Sequence, residues 1–141
     1  MAYSDAQRTN NSSRSVKTFS DLNLNFTRNP ATGDVARLTD IEAVKRAVRN
    51  LVLTNQFERP FHPEIGSSIR GLLFENVTPL NAILLEDRIR EVIINHEPRA
   101  LLTGVRVVDD ADRNGYSVVI NFQVLNSVEN VSITEFLQRL R

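Results

Sequence analysis

The sequence has no cysteine, no tryptophan and one methionine. Without thiols there are no disulfides, no thiolate nucleophile and no Cys-based zinc or iron–sulfur site. An excess of charge is missing too, because 17 Lys and Arg balance 17 Asp and Glu. That balance removes the bulk electrostatic case for nucleic acid or an anionic membrane surface as partner. No apolar run approaches the ~18 residues of a membrane span. Met1 to Ser20 contain no apolar stretch of the kind a signal peptide needs. Glycines and prolines number five each, and no P-loop, dinucleotide fingerprint or G-x-S-x-G is present. The histidines, His62 and His96, stand far apart, so no metal site and no cofactor is expected. His62-Pro63-Glu64 matches the H-x-E of zinc deaminases, but that chemistry also needs a Pro-Cys-x-x-Cys partner.

What remains fits one domain. The chain has 141 residues, 41% of them apolar and 24% charged, enough for a single core without staples. Residues 1–17 are rich in Ser, Asn and charge and read as a flexible arm, with one domain over residues 18–141. Leu22, Leu24 and Phe26 alternate with polar residues, which suggests a short strand over Phe19–Phe26. Asn29 to Asp34 supply a turn. Thr39 and Glu42 have capping-box spacing, and Ile41, Val44, Val48, Leu51 and Val52 then form a helical apolar stripe. Lys45, Arg46 and Arg49 fall mostly off that stripe and read as a solvated face.

Asn55 to Gly66 (NQFERPFHPEIG) cannot be a regular helix, because Pro60 and Pro63 interrupt it. Phe57, Phe61 and Ile65 make it too apolar for a free loop, so it is expected to pack down as a rigid strap. Its structural residues would be Arg59, Pro60, Phe61, Pro63 and Gly66. Ser67 to Phe74 reads as a short helix with Ile69, Leu72, Leu73 and Phe74 facing the core. Thr78-Pro79 then marks a helix start, and Pro98 ends that helix near Asn95. Leu80, Ile83, Leu84, Ile89, Val92 and Ile93 are its expected buried stripe.

The period then changes. Leu101 to Val108 is rich in strand formers, Asp109 to Gly115 is a turn, and Tyr116, Val118, Ile120, Phe122 and Val124 alternate with Ser117, Val119, Asn121 and Gln123. This pattern predicts an antiparallel hairpin with one buried face. After a turn at Asn126–Asn130, Val131 to Leu137 suits a third strand, although Ile133, Phe136, Leu137 and Leu140 also fit a helix. The expected class is α+β, with helices on one face of a small C-terminal antiparallel sheet.

Two constellations bear on function. A glycosidase needs paired carboxylates, one with a raised pKa, and Glu64, Glu75 and Glu97 are the glutamates set among apolar residues. Glu97-Pro98-Arg99 is a charged corner with little freedom, and its planar guanidinium fork suits either an internal brace or docking to another chain.

Three segments in order, Arg59-Pro60-Phe61-His62-Pro63-Glu64-Ile65-Gly66, Leu73-Phe74-Glu75-Asn76-Val77-Thr78-Pro79 and Glu97-Pro98-Arg99, resemble the baseplate wedge proteins of T4-like contractile tails. These are the sheath initiators, a family that includes the small baseplate subunit of type VI secretion systems. The resemblance covers about Phe19 to Leu137, and His62 stands where many relatives carry Asp. It implies a non-enzymatic structural protein near the tail tube, whose partners are other wedge subunits and the tail sheath protein. It places the protein in a virion tail baseplate assembled in the host cytoplasm, or in the bacterial cytoplasm as part of a secretion machine. It assigns wedge docking to Glu97, Pro98 and Arg99. It also implies that sheath strands add to the sheet, for which the edge at Val131, Ser132, Ile133, Thr134 and Glu135 is the candidate. Part of the family carries a lysozyme-like label, and a peptidoglycan hydrolase built on Glu64 or Glu75 is the rival reading. A third is an adaptor that binds helices through Phe57–Ile65.

Overall fold

A computed structural model describes residues 19–125 and 127–140. The proposed arm at 1–17 lies outside the described residues. The elements run β1 (Ser20–Leu22), β2 (Arg37–Thr39), α1 (Asp40–Leu53), α2 (Ile69–Leu73), α3 (Pro79–His96), β3 (Ala100–Asp110), β4 (Gly115–Val124) and β5 (Asn130–Gln138). β1 and β2 form a small antiparallel pair, and β3-β4-β5 form an antiparallel sheet in that order. The class is α+β, with α3 against β3 and α1 reaching β4 and β5.

The alternation in β4 sets the core. Tyr116, Val118, Ile120, Phe122 and Val124 are buried, and they meet Val44, Val48 and Val52 of α1 and Leu85, Ile89 and Ile93 of α3 in one cluster. Residues 131–137 form strand rather than helix, because their pairing with β4 is unbroken from Gly115↔Gln138 to Gln123↔Asn130. On the other side, the β3–β4 register shifts between Leu102 and Gly104, a bulge that bends that edge.

Several expectations change. The strand at Phe19–Phe26 is only three residues long and pairs with β2 over Ser20↔Thr39 to Leu22↔Arg37. Leu24 and Phe26 lie past it and are exposed. Thr39 precedes α1 but makes no side-chain cap bond. Its backbone is held in the β1–β2 pair, and Asp40 adopts φ +48° where strand turns to helix. The Asp40 carboxylate instead accepts from the Phe19 N–H at 3.3 Å.

In α3 the cap is as expected: the Thr78 side chain accepts from the Asn81 N–H, with Pro79 in the first turn. The buried face is Asn81, Ala82, Leu85, Ile89, Val92 and Ile93. Leu80, Ile83 and Leu84 are exposed, as is Ile94. Apolar residues occupy two faces of this helix, so periodicity alone cannot rank them. Phe74 also stays exposed, just past the end of α2.

The 55–66 segment does not pack down over its length. Phe57 and Phe61 are 82% and 97% exposed, and both have left-handed backbone, at φ +65° and +69°. Those turns carry the rings outward. The loop is instead tied across its base, where Phe57 N–H donates to Pro63 O (2.9 Å) and Ser67 N–H to Thr54 O (2.7 Å). The buried Ser67 hydroxyl donates to Val52 O at 2.5 Å. Gly66 has φ +144°, and a Cβ there would lie 2.6 Å from the Asn55 carbonyl carbon and oxygen, so the closure requires glycine.

Candidate functional site: a braced corner and an open sheet edge

The corner follows from the end of α3. Glu97 caps the helix, its N–H donating to Ile93 O, and Pro98 turns the chain into β3. Glu97 is 6% exposed, so its carboxylate needs a partner. Arg99 supplies one side-on: Nε donates to Glu97 Oε1 at 2.7 Å and Nη2 to Oε2 at 2.9 Å. Nη1 donates to both oxygens of Asp21 in β1, at 3.0 and 3.1 Å. The Phe19 ring centroid lies 5.6 Å from the guanidinium carbon. Hydrogen bonds donated to Glu97 and then to Asp21 raise the Arg99 pKa above its already high ordinary value, so this cation never titrates in practice.

The corner therefore braces β1 to the α3–β3 junction. It also borders a groove of about 770 Å³ lined in part by Asp21, Leu22, Leu24, Arg59, Ile65 and Glu97. Of the 59–66 residues, Arg59 and Ile65 thus reach the corner. Pro60, Phe61 and Pro63 lie in the exposed loop, and Gly66 is buried at its base.

Asp21 was not singled out from the sequence, where it reads as one polar residue of an alternating strand. A second unanticipated arrangement holds the 73–79 segment. The buried Tyr116 hydroxyl accepts from Thr78 N–H and donates to Asn76 O, both at 3.3 Å. Asn81 Nδ2 donates to Asn76 O at 2.9 Å and to Glu75 Oε2 at 3.1 Å.

The residues Val131 to Glu135 lie on β5, which has β4 as its one neighbour among the described strands. Val131 and Ile133 face the core, while Ser132 and Thr134 are exposed. Beside them a groove of about 370 Å³ separates the strand from α1 and is lined by Glu42, Lys45, Arg46, Arg49 and 132–135. Arg49 Nε and Glu135 Oε1, 2.6 Å apart, bridge helix and strand.

The glutamates considered for hydrolysis are arranged otherwise. Glu64 is exposed and lies 3.1 Å from His62 Nδ1. A backbone N–H bond and then the His62 side chain lower its pKa, the wrong direction for a general acid. Glu75 is exposed and accepts from Asn81. No group of three or more His, Cys, Asp or Glu among the described residues could hold a metal ion, and no described helix is long and apolar enough to cross a membrane.

A helix-backed antiparallel sheet, with one unbulged edge unpaired among the described strands, and a braced acidic corner define an α+β module. The family model described as baseplate wedge protein gp25 matches residues 39–129. The baseplate wedge protein gp25 of Enterobacteria phage T4 is 33% identical over 98 residues, covering 70% of this chain and 74% of that protein. The chain belongs to this family of contractile-tail baseplate wedge proteins, and it is a phage or phage-like baseplate component.

Three solved structures share the fold. A Geobacter sulfurreducens chain described as a tail lysozyme superposes with TM-score 0.64 at 20% identity, covering 70% of this chain and 89% of that one. A chain of the anti-feeding prophage baseplate gives 0.60 at 24%, covering 87% of each. A chain of the postcontracted pyocin R2 baseplate gives 0.50 at 21%, covering 78% of this chain and 96% of that one. At these identities the likeness speaks for the fold alone.

Proposed function

We propose that this protein is a non-enzymatic wedge subunit that docks to other baseplate subunits through the Glu97-Pro98-Arg99 corner and templates sheath polymerisation by strand addition to β5. The observation that carries this reading is the outer edge of β5, which has no partner among the described strands, beside a continuous β4–β5 ladder. Such an edge is ordinarily blunted by a bulge, a proline or a cover. β3 has the bulge, whereas β5 has neither bulge nor proline. A strand added there gains main-chain hydrogen bonds for affinity, and its alternate side chains set register.

Docking at the corner uses the adjoining groove. Exposed Leu22 and Leu24 offer apolar contact there, and half-buried Asp21 offers an acceptor held in place by Arg99, itself gripped by buried Glu97. Pro98 is exposed at the turn. In this reading the protein sits near the tail tube of a virion or virion-like machine assembled in the cytoplasm of the bacterium. The hydrolase reading gains nothing from the geometry, since the Glu64 pKa is lowered by a backbone N–H and His62, and Glu75 is open to solvent.

The strand reading is tested with Ser132→Pro and Ile133→Pro. In an antiparallel ladder, neighbouring residues point their N–H groups to opposite sides. One of the two prolines therefore removes a bond to β4 and the other an outward donor. The outward variant is expected to fold and enter baseplates but to block sheath growth. Normal sheath growth on that folded variant would refute strand addition at β5.

A further inference from the structure

Glu42, Lys45, Arg46 and Arg49 follow one another at i, i+3, i+4 and i+7, so they share one face of α1. That face forms the wall of the groove beside β5. Its charges are unevenly satisfied. Arg49 is paired with Glu135 at 2.6 Å, and exposed Glu42 meets Lys45 only at 3.5 Å. Arg46 donates to the neutral Asn25 side chain at 3.1 Å. Lys45, Arg46 and Arg49 against Glu42 and Glu135 leave the groove with an excess of one positive charge.

The next position in the sheet lies about 4.8 Å beyond β5. A strand there points every second side chain to the face shared by Val131, Ile133 and Glu135, which is the side occupied by α1. We infer that the segment seated in this groove is an extended stretch of another polypeptide with acidic side chains at alternate positions, directed at Lys45 and Arg46. This rests on the strand-addition reading of β5 and adds to it the chemistry of the incoming strand. The chain's own residues 1–18 match that chemistry poorly, with Asp5 set against Arg8, Arg14 and Lys17.

The test titrates full-length, isotope-labelled protein with a capped nonapeptide alternating glutamate and valine, and with its lysine counterpart. Backbone amide shifts are followed by NMR. A one-residue slip turns all side chains to the other face, so either register of the glutamate peptide can present its acids to α1. Two such surface ion pairs between strand and helix predict a preference of roughly two- to thirtyfold for the glutamate peptide. The β5 amides are expected to shift most. Lys45→Glu with Arg46→Glu, both only partly buried, is expected to reverse the preference while leaving the spectrum dispersed. Equal binding of the two peptides at β5, or a preference that survives the charge reversal, would overturn the inference and leave strand addition standing. Failure of both peptides to shift β5 would overturn both.

Discussion

Arg99 and Asp21 are 78 positions apart in the chain, and the Arg99 Nη1 donates to both Asp21 oxygens at 3.0 and 3.1 Å. The same guanidinium grips the buried Glu97. A rigid corner is thus assembled from β1, the end of α3 and the start of β3. Arg99 is the brace that holds both carboxylates in place.

Arg99→Ala leaves Glu97 buried without its cation. Breaking a partly buried pair in this way costs about 2–4 kcal/mol, or roughly 7–14 °C in Tm for a chain of this size. Calorimetry checks this. Arg99→Ala combined with Glu97→Gln is expected to recover part of the loss. A single variant as stable as the wild type would remove the brace from the account. Arg99→Ala that keeps its fold is expected to enter baseplates poorly.

Gly66→Ala places a methyl group against the Asn55 carbonyl at a φ that L-residues avoid. The expected loss is about 2 kcal/mol or more, read by chemical denaturation. By contrast, Phe61→Ser should change stability by less than about 0.5 kcal/mol, because the ring is almost wholly in solvent.

Tyr116→Phe removes the hydroxyl bridging Thr78 N–H and Asn76 O inside the fold. About 1–2 kcal/mol is expected, with faster hydrogen exchange of the Thr78 amide. Unchanged exchange there would mean that the bonds from Asn81 and Arg139 to Asn76 hold the segment without it.

The Glu64 carboxyl is expected to titrate below the ordinary glutamate value, chiefly through a backbone N–H and secondarily through His62. A depressed carboxyl favours the fold above its unfolded pKa and loses that contribution as pH falls through the folded value. Full exposure makes the effect on stability slight. A carbon-detected NMR titration checks the midpoint, and His62→Ala should raise it only in part. A midpoint above the ordinary value would revive Glu64 as a general acid, and peptidoglycan cleavage abolished by Glu64→Gln would establish it.

The sheet was legible in the sequence because β4 alternates cleanly and its neighbours share the period. The α3 start was legible because Thr78-Pro79 is a local signal that tertiary structure has no reason to override. The α3 burial was legible only in its second half, where Ile89, Val92 and Ile93 are buried as expected; in the first half Leu80, Ile83 and Leu84 match Ala82 and Leu85 in apolarity, and only packing against β3, α1 and α2 decides between them. The outward Phe57 and Phe61 were missed because two left-handed turns set their direction and no residue type announces them. Glu97 and Arg99 could be picked out as a rigid acid–base pair, but Asp21 could not, because nothing local to β1 points 78 residues ahead.

The most direct test of the central claim is a side-chain-resolution reconstruction of the assembled particle that traces the chain beside β5. The account predicts a strand from a different polypeptide hydrogen-bonded to the outer edge of residues 131–135, with acidic side chains near Lys45 and Arg46. An outer β5 edge left in solvent, or a foreign strand on β3 instead, would contradict it.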